Sequence, residues 1–161
     1  IRSFYDTNLQ MAKSDSPFNF YDPKQPIYTN SRVLPGSIVE DSRLKDVLLS
    51  EGCRIQKAEI THSVVGVRSQ IRAGTRIKNC ILMGSDYYDQ PGKSNDIPLG
   101  VGPKCDIEGA ILDKNVRLGR GVIIRPFPRG TDKDTETWVV RDGIVVIPKD
   151  VQIAAGTVIA P

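Results

Sequence analysis

One histidine, His62, and three cysteines, Cys53, Cys80 and Cys105, are the only side chains here suited to proton transfer or thiolate chemistry near neutral pH. An imidazole can serve as general base on an acceptor amine or hydroxyl. A lone histidine is more often a hydrogen-bonded structural residue. A zinc centre of the three-histidine kind is excluded by the count. The cysteines are odd in number and lack paired metal spacing, so they read as buried thiols of a reducing compartment rather than a disulfide framework. No metal ligand set is expected. Cations are abundant by comparison: 22 Lys and Arg stand against 19 Asp and Glu, for a net charge of +3. Ammonium groups are compact donors to phosphate oxygens, and charge-assisted hydrogen bonds are roughly twice as strong as neutral ones. No Lys/Arg block interleaved with aromatics points to nucleic acid. Small anions are the partners this charge suits.

Whatever these groups do, a repeating frame must position them. From Ile38 onward an aliphatic residue returns every five or six positions: Ile38, Leu44, Leu49, Ile55, Ile60, Val65, Ile71, Ile77 and Leu82. The series resumes at Val101, Ile107, Leu112, Leu118 and Ile124, and again at Ile147, Ile153 and Ile159. A helix needs apolar residues at i, i+3, i+4 and i+7, which this stretch lacks. Hexads instead form short flat sides, and three of them close a triangular β-helix coil of about 18 residues. Gly52, Gly66, Ala73, Gly74, Gly119, Gly121 and Gly156 fall between the aliphatic positions, where corners need small side chains or positive φ. The expected fold is mainly β: a parallel β-helix over residues 38–161.

Residues 1–37 read differently. A short helix is expected over 2–14, with Phe4, Tyr5, Leu9, Met11 and Ala12 on its apolar side. Pro17, Pro23, Pro26 and Pro35 then impose an extended arm. Phe4, Tyr5, Phe18, Phe20, Tyr21 and Tyr28 crowd this region. Such rings suit either a docking surface for another domain or partner chain, or a cap on the first coil. Two polar interruptions, at about 85–99 and 125–141, break the hexad register as loops, and loops on a rigid frame often carry function. No uninterrupted apolar stretch approaches the ~20 residues of a membrane span. The opening residues Ile1–Tyr5 lack the basic start and apolar core of a leader. With no initiator Met, the chain reads as starting inside a longer polypeptide.

Several segments together resemble the C-terminal part of ADP-glucose pyrophosphorylase, also called glucose-1-phosphate adenylyltransferase. Ile1-Arg2-Ser3-Phe4-Tyr5-Asp6-Thr7-Asn8-Leu9 is similar to the helix that follows that enzyme's catalytic domain. Phe20-Tyr21-Asp22-Pro23 and Ile27 to Pro35 are similar to its interdomain connection. His62 to Ser69, Asp113 to Gly119 and Asp142 to Lys149 are similar to stretches of its β-helix, and the resemblance supplies the left hand of that helix. The family joins glucose 1-phosphate to ATP, giving ADP-glucose and pyrophosphate for glycogen or starch synthesis. Its glycine-rich nucleotide signature and acidic metal ligands lie in an N-terminal domain that nothing here matches. The resemblance therefore implies a regulatory and oligomer-forming domain without catalytic residues, cofactor or metal of its own; ATP and Mg would be used by the missing domain.

By the same resemblance, Lys114 and Lys149 occupy two lysine positions that bind phosphorylated activators such as 3-phosphoglycerate, fructose 6-phosphate or fructose 1,6-bisphosphate. Inorganic phosphate or AMP inhibits at the same region. A β-helix can set the two lysines on neighbouring coils, with the second interruption beside them. Arg32 corresponds to a connector arginine that reaches the same anion pocket, and Asp113 is expected to orient the lysines. Asn30 stands where relatives often carry Gln. Arg125 and Arg129 lie in a stretch, Arg125 to Gly130, that replaces a more usual Asn-Lys-containing one, and either could supply the missing positive charge. Expected partners are the effectors, the chain's own catalytic domain and further subunits of a homo- or hetero-oligomer, a tetramer in relatives. Neither nucleic acid nor membrane is expected, and the compartment would be bacterial cytoplasm or plastid stroma. Two rivals remain: a stand-alone hexapeptide-repeat acyltransferase using His62, and an oligomerisation module with no ligand.

Overall fold

A computed structural model describes residues 1–20, 22–28, 33–90 and 96–161. After one helix, α1 (Arg2–Gln10), the described chain is strand and turn, wound as a parallel β-helix with three sides. The first side stacks Ile38–Glu40, Arg54–Gln56, Gln70–Ile71, Gly100–Val101, Arg117–Leu118 and Gln152–Ile153. Strands Arg43–Leu49 and Glu59–Val65 each bend across the other two sides, since Asp46 and His62 within them take positive φ. Arg76–Lys78, Asp106–Glu108, Ile123–Ile124 and Val158–Ile159 continue the second side. Ile81–Leu82, Ala110–Leu112 and Ile144–Ile147 continue the third.

Register explains the hexad spacing. Ile55, Ile71, Val101, Leu118 and Ile153 stack inside the first side. Leu44, Ile60, Ile77, Ile107, Ile124 and Ile159 stack inside the second. Leu49, Val65, Leu82, Leu112 and Ile147 do so inside the third. Full burial of each such side chain contributes about 1.5–3 kcal/mol. The series is displaced at its start. Ile38 pairs with outward-facing Arg54 and is 58% exposed, while its neighbour Val39 pairs with Ile55 and is the inward residue. Two adjacent aliphatics at the open end of the coil hid that one-residue offset, which swaps the faces of a strand.

A second inward position, just before or within each side, holds smaller residues: Cys53, Ala58, Ser63, Ser69, Thr75, Cys80, Cys105 and Ala110 are all buried. The three cysteines lie on three different sides and are free. Their thiols donate to carbonyls of Gly66, Lys78 and Gly119. Burial pushes all three thiols up, Cys80 to about 12. Corners between sides use the left-handed backbone region, and ten described non-glycine residues adopt it, mostly Asp, Asn and Lys. Gly66 is needed for a different reason, because a Cβ there would stand 2.6 Å from the Met83 backbone of the next coil.

α1 is shorter than the expected 2–14; Met11 and Ala12 belong to the turn that follows it. It covers the third side from outside: Tyr5 and Leu9 are buried against Ile81, Ile111 and Ile144, with Val64, Met83 and Val146 around them. Tyr5 donates to the Asn79 carbonyl, and Arg2 pairs with Asp142. One ring of the arm is thus absorbed by the chain itself. Phe18 and Phe20 meet edge to face at 4.9 Å, beside a groove shared with Val47 and Leu48 of the first coil. Tyr28 is 92% exposed, and Tyr21 lies outside the described residues.

The first interruption leaves the coil at the corner after the third side. It is pinned by a two-pronged Arg117–Asp89 pair, at 2.6 and 3.1 Å, and by Tyr88 donating to the Gly52 carbonyl. The second is partly ordered strand. Lys133–Asp134 pairs antiparallel with Val139–Arg141, which in turn pairs antiparallel with Ile144–Ile147 and widens the third side. No helix among the described residues is long and apolar enough to cross a membrane.

Two outcomes follow from this packing. Ile77→Ala, in the middle of the second stack, should lose about 2–5 kcal/mol in denaturant unfolding, whereas exposed Val158→Ala should change little. A thiol reagent should label none of the three cysteines in the folded chain and all of them after denaturation.

Candidate functional site

Corner residues stack as strictly as core residues do. Leu112 pairs with Ile147 and Arg117 with Gln152, so the two corners between them have equal length and Lys114 stands one coil below Lys149. The Asp150 N–H donates to the Lys114 carbonyl at 2.9 Å, and the Asn115 N–H donates to the Gly84 carbonyl at 3.1 Å. Gly84, Lys114 and Lys149 therefore form one column at the coil spacing of about 4.8 Å. The first interruption departs from the foot of that column. Gly84 lets it do so: its φ is +82°, and a Cβ there would fall 2.1 Å from the Val67 carbonyl oxygen.

Two residues beyond Gly84, Asp86 turns its carboxylate back along the column. Lys114 Nζ donates to Asp86 Oδ1 at 2.6 Å, and Lys149 Nζ donates to Asp86 Oδ2 at 2.9 Å. Asn115, only 3% exposed, fixes the arrangement. Its Oδ1 accepts the Asp86 N–H at 2.8 Å; its Nδ2 reaches Asp86 Oδ2 at 3.3 Å and Asp150 Oδ1 at 2.9 Å. The hydrogen bonds from Lys114 and then Lys149 hold the Asp86 carboxyl well below the usual carboxylate range. Asp86 in return raises Lys149. Asp113 accepts the Lys114 backbone N–H at 2.7 Å, so it braces the corner main chain rather than an ammonium group. Chemically, two ammonium donors converge on the two oxygens of one carboxylate, at a corner partly open to solvent.

The other expected members lie elsewhere. Arg125 binds the Asp106 side chain at 2.7 Å and carbonyls of Asp106 and Ile124, on the second side beside Arg76. Arg129 is 82% exposed at its side chain and approaches Asp142 at 3.9 Å, the same carboxylate that receives Arg2. Neither contributes to the lysine column. Arg32 and Asn30 lie outside the described residues. Asp86 and Asn115 are the members that spacing did not announce. A hint was present in Asn115, a residue tolerant of positive φ immediately after Lys114.

His62 is committed to structure. It forms a corner with φ +44°; its Nδ1 meets Asn79 Oδ1 at 2.8 Å and its Nε2 meets the Leu9 carbonyl at 3.1 Å. The Leu9 carbonyl can only accept, so Nε2 carries a proton there, and the second nitrogen faces the Asn79 amide. No free imidazole lone pair is left for an acceptor substrate. Among the described residues no cluster of three His, Cys, Asp or Glu side chains could hold a metal ion.

Set against known protein families, residues 32–158 match the model of the GLGC left-handed parallel beta-helix domain. The match spans most of the β-helix and both lysine corners, and it carries the handedness of the coil.

The bridge has a defined pH signature. Asp86 titrates lower in the folded chain than the ordinary ~3.9 of an unfolded aspartate. Its stabilisation is therefore fully present above about pH 4 to 5 and fades as acid lowers the pH toward its folded value. The difference in melting temperature between the wild type and Asp86→Asn should be flat from pH 8 to about 5 and shrink below about 4. A difference that stays flat through the acid range would mean that the bridge does not form.

Proposed function

Since the chain belongs to the GLGC left-handed parallel beta-helix domain family, we propose that it is the regulatory and assembly domain of a glucose-1-phosphate adenylyltransferase, and that its lysine column receives phosphorylated effectors. The observation that carries this reading is the shared partner of Lys114 and Lys149. A single carboxylate touches both ammonium groups, so a single phosphoryl group has the size to do the same. Phosphate offers more oxygens and more charge than a carboxylate, and the donors gain accordingly.

On this reading the catalytic chemistry, with ATP and Mg, belongs to an N-terminal nucleotidyltransferase domain. Sugar phosphates or phosphoglycerate activate, and inorganic phosphate or AMP opposes them. Arg32 of the connector is the third anion ligand, bringing arm and β-helix together around the effector. Transmission has a physical route. Lys149 follows strand Ile144–Ile147, whose outer residues Ile144 and Val146 lie under α1, and Arg2 of α1 holds Asp142 at the start of that strand. An effector that favours one arrangement of corner and arm would bias the domain that α1 follows, with a coupling typical of allosteric enzymes, about 1–3 kcal/mol. Assembly into a homo- or hetero-tetramer, in bacterial cytoplasm or plastid stroma, completes the reading.

The acyltransferase alternative has no support at His62, whose ring is spent on Asn79 and Leu9. The decisive experiment uses the enzyme with both domains. Replacing Lys114 and Lys149 together by Ala should raise the concentration of 3-phosphoglycerate or fructose 1,6-bisphosphate needed for half-activation at least about tenfold, as loss of two charge-assisted contacts demands, while leaving unactivated turnover near its wild-type value. An unchanged activation curve would remove the effector role and leave a ligand-free assembly module.

A further inference from the structure

The lysine column is already occupied by the protein itself. Three carboxylates, Asp86, Asp150 and Asp113, act on the Lys149 ammonium group, and Asp86 also pairs with Lys114. Only one of the three, Asp86, touches the ammonium nitrogens. It places two oxygens between two lysines, as a bound anion would. Its main chain is held by the N–H donated to Asn115 Oδ1, yet its side chain is about one-third exposed and can turn toward solvent about its own Cα–Cβ bond. That turn would free both ammonium groups and one N–H of Asn115 Nδ2, the other staying on Asp150 Oδ1.

We infer that Asp86 is a built-in occupant of the anion site: its carboxylate fills the place of a phosphoryl group between Lys114 and Lys149, and a phosphate-bearing ligand binds by displacing it. The inference rests on the anion-site reading above and adds to it a self-competing state. Closed and open corners are then two populations, and observed affinity is the intrinsic affinity multiplied by the open fraction. Half-exposed ion pairs are individually weak, so the closed form outweighs the open one by about three- to tenfold rather than by orders of magnitude. The effect is a raised half-saturation: self-pairing scales up the anion concentration needed to fill the corner by a constant factor.

The test is a residue-resolved footprint on the intact chain. Lysines are acylated by an amine-reactive ester at increasing inorganic phosphate, and protection of Lys114 and Lys149 is read by peptide mass spectrometry. Asp86→Asn, which keeps the shape and removes the charge, should lower the phosphate concentration for half-protection of both lysines by about three- to tenfold, and Asp86→Ala should agree. Asp150→Asn removes the same charge from the same edge without touching either ammonium group. It should shift protection by less than about twofold, as a screened neighbour does. Equal half-protection in the wild type and Asp86→Asn, weaker protection in Asp86→Asn, or a gain of the same size in Asp150→Asn would each overturn displacement while leaving the anion site standing. If phosphate protects neither lysine in any of these chains, the anion-site reading itself fails.

Discussion

Vertical registry is the constraint on which everything else in this molecule depends. Each coil is too thin to bury anything alone, so an inward Ile, Leu or Val must sit on its equivalent above and below. Once three such stacks are fixed, the corners have no freedom to wander, and residues far apart in the chain become neighbours one coil apart. Lys114 and Lys149 meet for the same reason that Leu112 sits beneath Ile147. The site is a by-product of core packing, and its precision is borrowed from the core.

Registry also decides where the chain can depart from its pattern. A flat side is hydrogen-bonded to coils above and below, so extra residues can leave only at corners, and both interruptions do. The first leaves from the foot of the lysine column, through Gly84, which brings Asp86 alongside the two ammonium groups. The second leaves between the second and third sides and is tied to α1 through Asp142 and Arg2. Polar residues that would be costly inside are kept at corners with full hydrogen bonding, as Asn115 shows by engaging Asp86 and Asp150 while almost wholly buried. No described buried side-chain nitrogen or oxygen lacks a partner.

The third side differs from the other two because it is apolar on both faces. Val64, Ile81, Ile111, Ile144 and Val146 face outward there, and α1 covers them with Tyr5 and Leu9. His62 and Asn79 belong to this cover, which explains why the single imidazole is not free for catalysis. The same strand that α1 covers runs directly into the Lys149 corner. Core, cover and site are consecutive along a few residues.

The amino-acid sequence by itself determined the architecture. One inward aliphatic per hexad is a local rule repeated many times, and a single uncertain position, such as Ile38 beside Val39, displaces only its own coil. It also marked the two interruptions and, through family likeness, the two lysines. Helix length was less legible, because α1 ends at Gln10 where its contact with the third side ends, not where helix-forming residues run out. Ion pairing was left to the tertiary structure. Asp86, Arg125 and Arg129 are all charged members of polar segments, and nothing in spacing says which of them lies beside the lysines. That choice depends on where an insertion leaves the coil and how it is pinned, by Asp89 on Arg117 and Tyr88 on Gly52. Periodicity fixes what repeats, whereas the partner of a charged side chain depends on a single meeting in space that no repeat encodes.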